Sequence, residues 1–168
     1  MAAFGSLMIR RARHMALSWL IVKAVPALNV FRKGMPWATE FDSLCEMPGA
    51  SWGYALSGFL RERGLRFLPK YEQHDALHVL LGYGTTALEE LRLQAFMLGN
   101  GSATFAGRAL YYLGACLLYD DYRVLSRDRA RGAHCSRIDW HKIERELPRS
   151  LCEVRRDWNI APMGSVRD

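Results

Sequence analysis

His74 and His78, four residues apart, with Asp75 beside the first and Glu90 after eleven intervening residues, are side-chain types that bind divalent metal ions. On a helix from Tyr71 to Leu81, steps of about 100° per residue place His74 at about 0°, His78 at about 40° and Asp75 at about 100°, on one arc. Two imidazoles and two carboxylates suit a first-row divalent ion, zinc first among them. The same residues have an ordinary reading. Histidine pairs at this spacing occur by chance, and acids in a helix's first turn interact favourably with its dipole without any metal.

The elements that must position this set are legible on either side of it. Gly82-Tyr83-Gly84 should end the first helix. Thr86 to Glu89 spells a capping box for a second helix, Thr86 to Leu98, stopped by Gly99-Asn100-Gly101. In that box Glu89 is occupied at the cap, which leaves Glu90 to turn back toward the histidines.

With 168 residues and 50% hydrophobic content, the chain is long enough for one domain with a real core. Residues 1–39 hold six basic residues (Arg10, Arg11, Arg13, Lys23, Arg32, Lys33) and no acid, while from Glu40 onward basic and acidic residues balance at 17 each. The net charge of +6 therefore belongs to an N-terminal arm. Around Met15 to Val22 that arm fits a helix lying on a membrane surface, a mitochondrial transit segment, or a first helix packed on the core. The first of these is preferred. Lys23 and Pro26 cut its apolar run short of the roughly 18 residues a membrane span needs. No secretory cleavage site follows it.

Cys45, Cys116, Cys135 and Cys152 have neither Cys-x-x-Cys spacing nor a dense framework, so they read as thiols of a reducing compartment. Pro26, Gly34 and Pro36 mark Ala27 to Trp37 as a connection. Glu40 to Glu46 reads as a short helix, and Ser51 to Arg63 as a longer one with Tyr54, Leu56, Phe59 and Leu60 in an apolar stripe, ended by Gly64. Ser102 to Tyr122 reads as one long helix, apolar on most sides and hence buried, with a ligand channel as the competing reading. Arg123 to Arg137 reads as a solvated polar loop. Its arginines are offset by Asp120, Asp121 and Asp128 and alternate with no aromatic platform, which argues against nucleic acid as a partner. Asp139 can cap a helix through Glu146, Pro148 marks a restart, and Leu151, Val154 and Trp158 give the last amphipathic turns before a loose tail, 161–168. Nothing alternates with a period of two. The expected fold is mainly α, a single-domain helical bundle with a metal site between two consecutive helices, its body spanning 40–160.

His74-Asp75-x-x-His78 followed by Glu90 resembles the zinc-ligand motif of the coenzyme Q biosynthesis protein four (Coq-four) family. Three flanking stretches extend the likeness over most of residues 48 to 160: Pro48 to Tyr54 with Phe59-Leu60, then Ile138-Asp139-Trp140, then Leu147 to Arg155. The resemblance implies metal ligation by His74, Asp75, His78 and Glu90. It also implies a role in ubiquinone biosynthesis, through a prenylated benzoate precursor and its C1 decarboxylation and hydroxylation. It further implies peripheral attachment to a membrane, on the cytoplasmic face in a bacterium or the matrix side of the mitochondrial inner membrane. The partners it implies are a prenylated aromatic lipid, the membrane surface and other quinone-biosynthesis enzymes, with room for a homo-oligomer. No side chain stands out as a separate catalytic acid or base. Two other classes fit the residues: a non-catalytic lipid-binding scaffold, and a zinc hydrolase, since His-Asp-x-x-His is close to His-Glu-x-x-His, although Asp75 is one methylene shorter than that general base.

Overall fold

The computed structural model describes residues 2–31, 37–67 and 70–163, with side chains from 7 to 23 in the first segment. In chain order the helices are α1 (Ala2–Phe31), α2 (Phe41–Cys45), α3 (Trp52–Glu62), α4 (Glu72–Leu81), α5 (Ala87–Gly99), α6 (Phe105–Leu117), α7 (Tyr122–Ala133), α8 (Ile143–Glu146) and α9 (Leu151–Asp157), with a 3-10 turn at Tyr119–Asp121 between α6 and α7. Extended pairing among the described residues is a single bridge, Ser51 with Ser150. The fold is mainly α, as the absence of two-residue alternation implies. No disulfide joins the cysteines among the described residues. No described helix is long and apolar enough to cross a membrane.

The described residues cluster into two compact units. One comprises α1 and Gly84–Ala133. Its centre is α5, against which α1, α6 and α7 all pack. Leu17 of α1 joins Leu91, Ala95, Leu118 and Leu125 in the core. Two glycines let α5 and α7 approach backbone to backbone. A Cβ on Gly99 would sit 1.9 Å from the Arg129 carbonyl oxygen, and one on Gly132 would sit 2.1 Å from that of Phe96. Arg92 of α5 donates to Asp128 of α7 at 2.7 Å and to Glu89 at 2.7 Å. Burial alone would lower the Arg92 pKa, but hydrogen bonds to these two carboxylates and their charges more than offset it and keep the guanidinium charged.

The other unit comprises the described residues of 37–83 and 134–163. Ser51 caps α3 by accepting from the Tyr54 N–H at 3.1 Å, the role its Ser-Trp-Gly context suits. Backbone bonds then tie the start of α3 to the chain ahead of α9: Trp52 N–H to Arg149 O, Gly53 N–H to Leu147 O, and Leu151 N–H to Ala50 O. Gly53 is packed so tightly there that a Cβ would meet the Met47 sulfur at 2.2 Å and the Leu147 carbonyl at 3.3 Å.

Several local expectations change. Backbone helix in α1 continues through Pro26 to Phe31, into the expected connection, whose residues 32–36 lie outside the described residues. Of the expected tail, 164–168 also lie outside them. Tyr54 is exposed, and the inward face of α3 is made by Trp52, Gly53, Leu56, Ser57 and Leu60. The single helix expected over Ser102 to Tyr122 breaks at Leu118 (φ −107°, ψ 45°). It is not buried on most sides: only Gly107 and Gly114 of α6 are fully buried, while Phe105, Tyr112 and Leu113 are exposed. The stretch expected as a polar loop is largely α7. Its inward face, Leu125, Asp128, Arg131 and Gly132, has helical spacing but only one apolar member. The helix expected from Asp139 shrinks to α8, and Asp139 instead accepts from the His141 N–H in the turn before it.

A candidate metal centre on the helix of His74 and His78

Two side chains from distant parts of the chain, Trp52 and Arg155, and one of its own, Gln73, fix α4. The indole N–H of Trp52 donates to Ala76 O at 3.0 Å, and Gln73 donates to Trp140 O at 3.3 Å. At the C-terminal end Gly82 takes the left-handed conformation (φ 82°) and turns the chain, so that the N–H groups of both Gly82 and Tyr83 point to His78 O. The carbonyls of Val79 and Leu80 lose their helical partners in this turn. Arg155 supplies replacements, Nη2 to Val79 O and Nε to Leu80 O, both at 2.8 Å. Trp52 also packs edge-on against Trp158, with centroids 6.0 Å apart. The stretches that flank the histidine motif in the sequence thus converge on the histidine helix.

His74 and His78 meet as the four-residue spacing requires. Their Nε2 atoms are 3.1 Å apart. Two nitrogens bound at about 2.05 Å to one tetrahedral zinc lie about 3.3 Å apart, so the pair stands close to the separation that shared ligation needs. His78 is buried, and its Nδ1 lies 3.3 Å from the Tyr83 carbonyl oxygen. With Nδ1–H donating to that carbonyl, Nε2 carries the lone pair, the arrangement by which backbone acceptors orient metal-binding imidazoles. Phe59 stacks on the same ring (centroids 5.8 Å, 20° between planes) and is itself covered by the Arg63 guanidinium at 3.8 Å. Tyr71 stands edge-on to His74 at 6.2 Å.

Glu90 lies in the first turn of α5 and is half-buried. Thr86 caps that helix by accepting from the Glu89 N–H at 3.3 Å. The Glu89 side chain is occupied, as the capping box implies, but by Gly84 N–H and Arg92 rather than by the Thr86 backbone. His74 and His78 belong to one compact unit and Glu90 to the other. Asp75 is half-buried next to His74. Two imidazoles four residues apart, one ring already held by a backbone acceptor, offer a divalent ion two nitrogen ligands from one helix. Sequence reading missed the supports: Tyr83 enters through its carbonyl, which no side-chain motif encodes. Phe59 reads from the sequence only as part of an apolar stripe, and Arg155 lies in a flanking stretch with no role attached.

No protein-family model matches the chain, and no curated protein does. The chain is similar in fold to the crystal structure of a protein from Nostoc punctiforme provisionally assigned to ubiquinone biosynthesis, at TM-score 0.61 and 20% identity, over 90% of this chain and 81% of that one.

Proposed function

We propose that this protein takes part in ubiquinone biosynthesis, binding a prenylated benzoate precursor whose carboxylate meets a divalent ion, zinc first, held by His74, His78 and Glu90 with Asp75 as a fourth candidate. The observation that carries the reading is the approach of the His74 and His78 Nε2 atoms to 3.1 Å on a helix gripped by the same flanks that make the sequence resemble the Coq-four family, whose motif supplies Glu90. The fold shared with the Nostoc protein supports it. When bound, the ion supplies positive charge beside an anionic ring oxygen, the charge that loss of carbon dioxide from C1 calls for. The chain's own part is positional. Tyr83 and Phe59 hold the His78 ring, and Arg155 and Trp52 hold the helix that carries both imidazoles. The proposed place of work is a membrane surface, cytoplasmic in a bacterium or matrix-side in a mitochondrion, among other quinone-biosynthesis enzymes.

Two experiments test this. Purified protein should carry about one divalent ion per chain, and His78→Ala should lower both metal content and melting temperature, because ligand binding is coupled to folding. Metal-free protein with an unchanged melting temperature overturns the centre. In a strain lacking its own ubiquinone decarboxylation step, the wild-type gene should restore quinone, and Glu90→Ala should leave the carboxylated precursor to accumulate. Full restoration by a metal-free Glu90→Ala protein replaces the catalytic reading with a lipid-binding scaffold. No restoration by folded, metal-loaded wild type removes the substrate assignment and leaves the metal centre standing.

A further inference from the structure

Of the fourteen exposed large hydrophobic residues among the described ones, eleven belong to α1, α6 and the start of α7 with the turn before it. On α1, Met8, Ala12, Met15, Trp19 and Val22 fall within about 40° of one line along the helix. All five are exposed, Met15 at 69% and Trp19 at 64%. The line is opposite Leu17, which is fully buried. On α6, Phe105, Ala109, Tyr112 and Cys116 fall within about 40° of a second line, opposite Gly107 and Gly114. Phe105 is 89% exposed. The two glycines seat α6 against α5, a Cβ on Gly114 meeting Leu91 at 2.6 Å. Both helices lie on α5 and touch each other, so their outward stripes are neighbours. Each helix has an apolar inward face as well, so the outward stripes are additional to what the core needs.

Charge identifies what covers them. Neither α1 nor α6 contains an acid. Arg10 and Arg13 turn away from the stripe and pair with Asp121 and Asp120 at 2.8 and 3.0 Å. Arg11 and Lys23 flank the α1 stripe, and Arg108 flanks that of α6, each about 60° off its line and exposed. A second copy on this face would bring the same cations against themselves. An anionic lipid surface offers both an apolar interior for the stripes and counter-charge for the flanks.

We infer that α1 and α6 together form a docking face for an anionic membrane surface, with Trp19 and Phe105 at the acyl boundary and Arg11, Lys23 and Arg108 at the headgroups. The inference rests on the membrane-surface placement proposed above and gives it a face, while loss of the metal centre or of the substrate assignment would leave it standing. The test is co-sedimentation of the full chain with phosphatidylcholine vesicles with and without phosphatidylglycerol. Binding should need the anionic lipid and weaken with salt. It should fall about fivefold for each of Arg11→Gln, Lys23→Gln and Arg108→Gln, and be lost in Trp19→Ser/Phe105→Ser. All five positions are exposed, so circular dichroism should stay unchanged. Bromine-labelled lipid should quench emission of wild type but not the residual emission of Trp19→Phe. Equal binding to neutral vesicles, no binding, or charge variants that bind like wild type each overturn the inference. So does a dimer in sedimentation that Trp19→Ser/Phe105→Ser dissolves, which would make the face a self-interface.

Discussion

Arg155 gives the sharpest test of how the histidine helix is held. Its guanidinium satisfies two carbonyls, Val79 O and Leu80 O, that the turn at Gly82 strips of their helical partners. Arg155→Met keeps the apolar stem and removes both donors. Hydrogen bonds to a charged group are worth about 1.5–3 kcal/mol each. Because Arg155 is only half-buried, the lower figure applies, for a total of about 3 kcal/mol. For a chain of this size about 1 kcal/mol moves the melting temperature by about 2–4 °C, so Arg155→Met should lower it by about 6–12 °C. Arg155→Lys keeps the charge but cannot span two carbonyls with a fixed fork, and should recover about half of the loss. Thermal melts followed by circular dichroism, with and without added zinc, read both variants. A loss below about 2 °C for Arg155→Met would refute the idea that these bonds secure α4.

Two further outcomes follow from packing and charge. Gly99→Ala should destabilise by about 2–3 kcal/mol in urea melts despite a helix-propensity gain of about 1 kcal/mol, since its Cβ would collide with the Arg129 carbonyl. Gly58→Ala, whose Cβ meets nothing within 4 Å, should stabilise by about 0.5–1 kcal/mol; equal effects at the two sites would contradict the close α5–α7 contact. Asp157 is held below the usual carboxylate value of 3.8, first by its hydrogen bond from Arg149. Because the folded value is the lower one, the stabilisation is complete above 3.8 and is lost as pH falls through the folded value. Arg149→Gln should therefore flatten the acid limb of a stability–pH profile, and an unaltered limb would exclude the pair as its source.

The parts of the fold that were legible in the sequence are those fixed by nearby chemistry. Ser51, Gly64, Gly82 and Thr86 end or begin their helices through their own side chain or backbone freedom, so α3, α4 and the start of α5 fall within a residue or two of expectation. The histidine pair was legible for the same reason, since its geometry is internal to one helix. The break at Leu118 was not. It has neither glycine nor proline, and Asp120 and Asp121 just beyond it are engaged by Arg13 and Arg10 from about a hundred residues away. α7 was hidden by composition. An inward face of Leu125, Asp128, Arg131 and Gly132 is paid for by an ion pair and a backbone contact instead of apolar burial, and hydrophobic periodicity does not register such a face. The burial expected of α6 failed because both of its faces are apolar, whereas α5 covers only the glycine side.

The grip on α4 also orders events during synthesis. Trp52 is made before the histidines, but Arg155 follows the end of α4 by about seventy residues. At about 5–20 residues per second, the nascent chain spends about 4–15 s with the last carbonyls of that helix lacking the guanidinium that will close them. Isolated helices of ten residues are marginal in water, so α4 gains its lasting form only when residue 155 arrives. The meeting of the His74 and His78 rings is then a late event in the birth of the molecule, and a ribosome stalled before that codon should display a chain whose histidines are present but whose imidazoles do not yet converge.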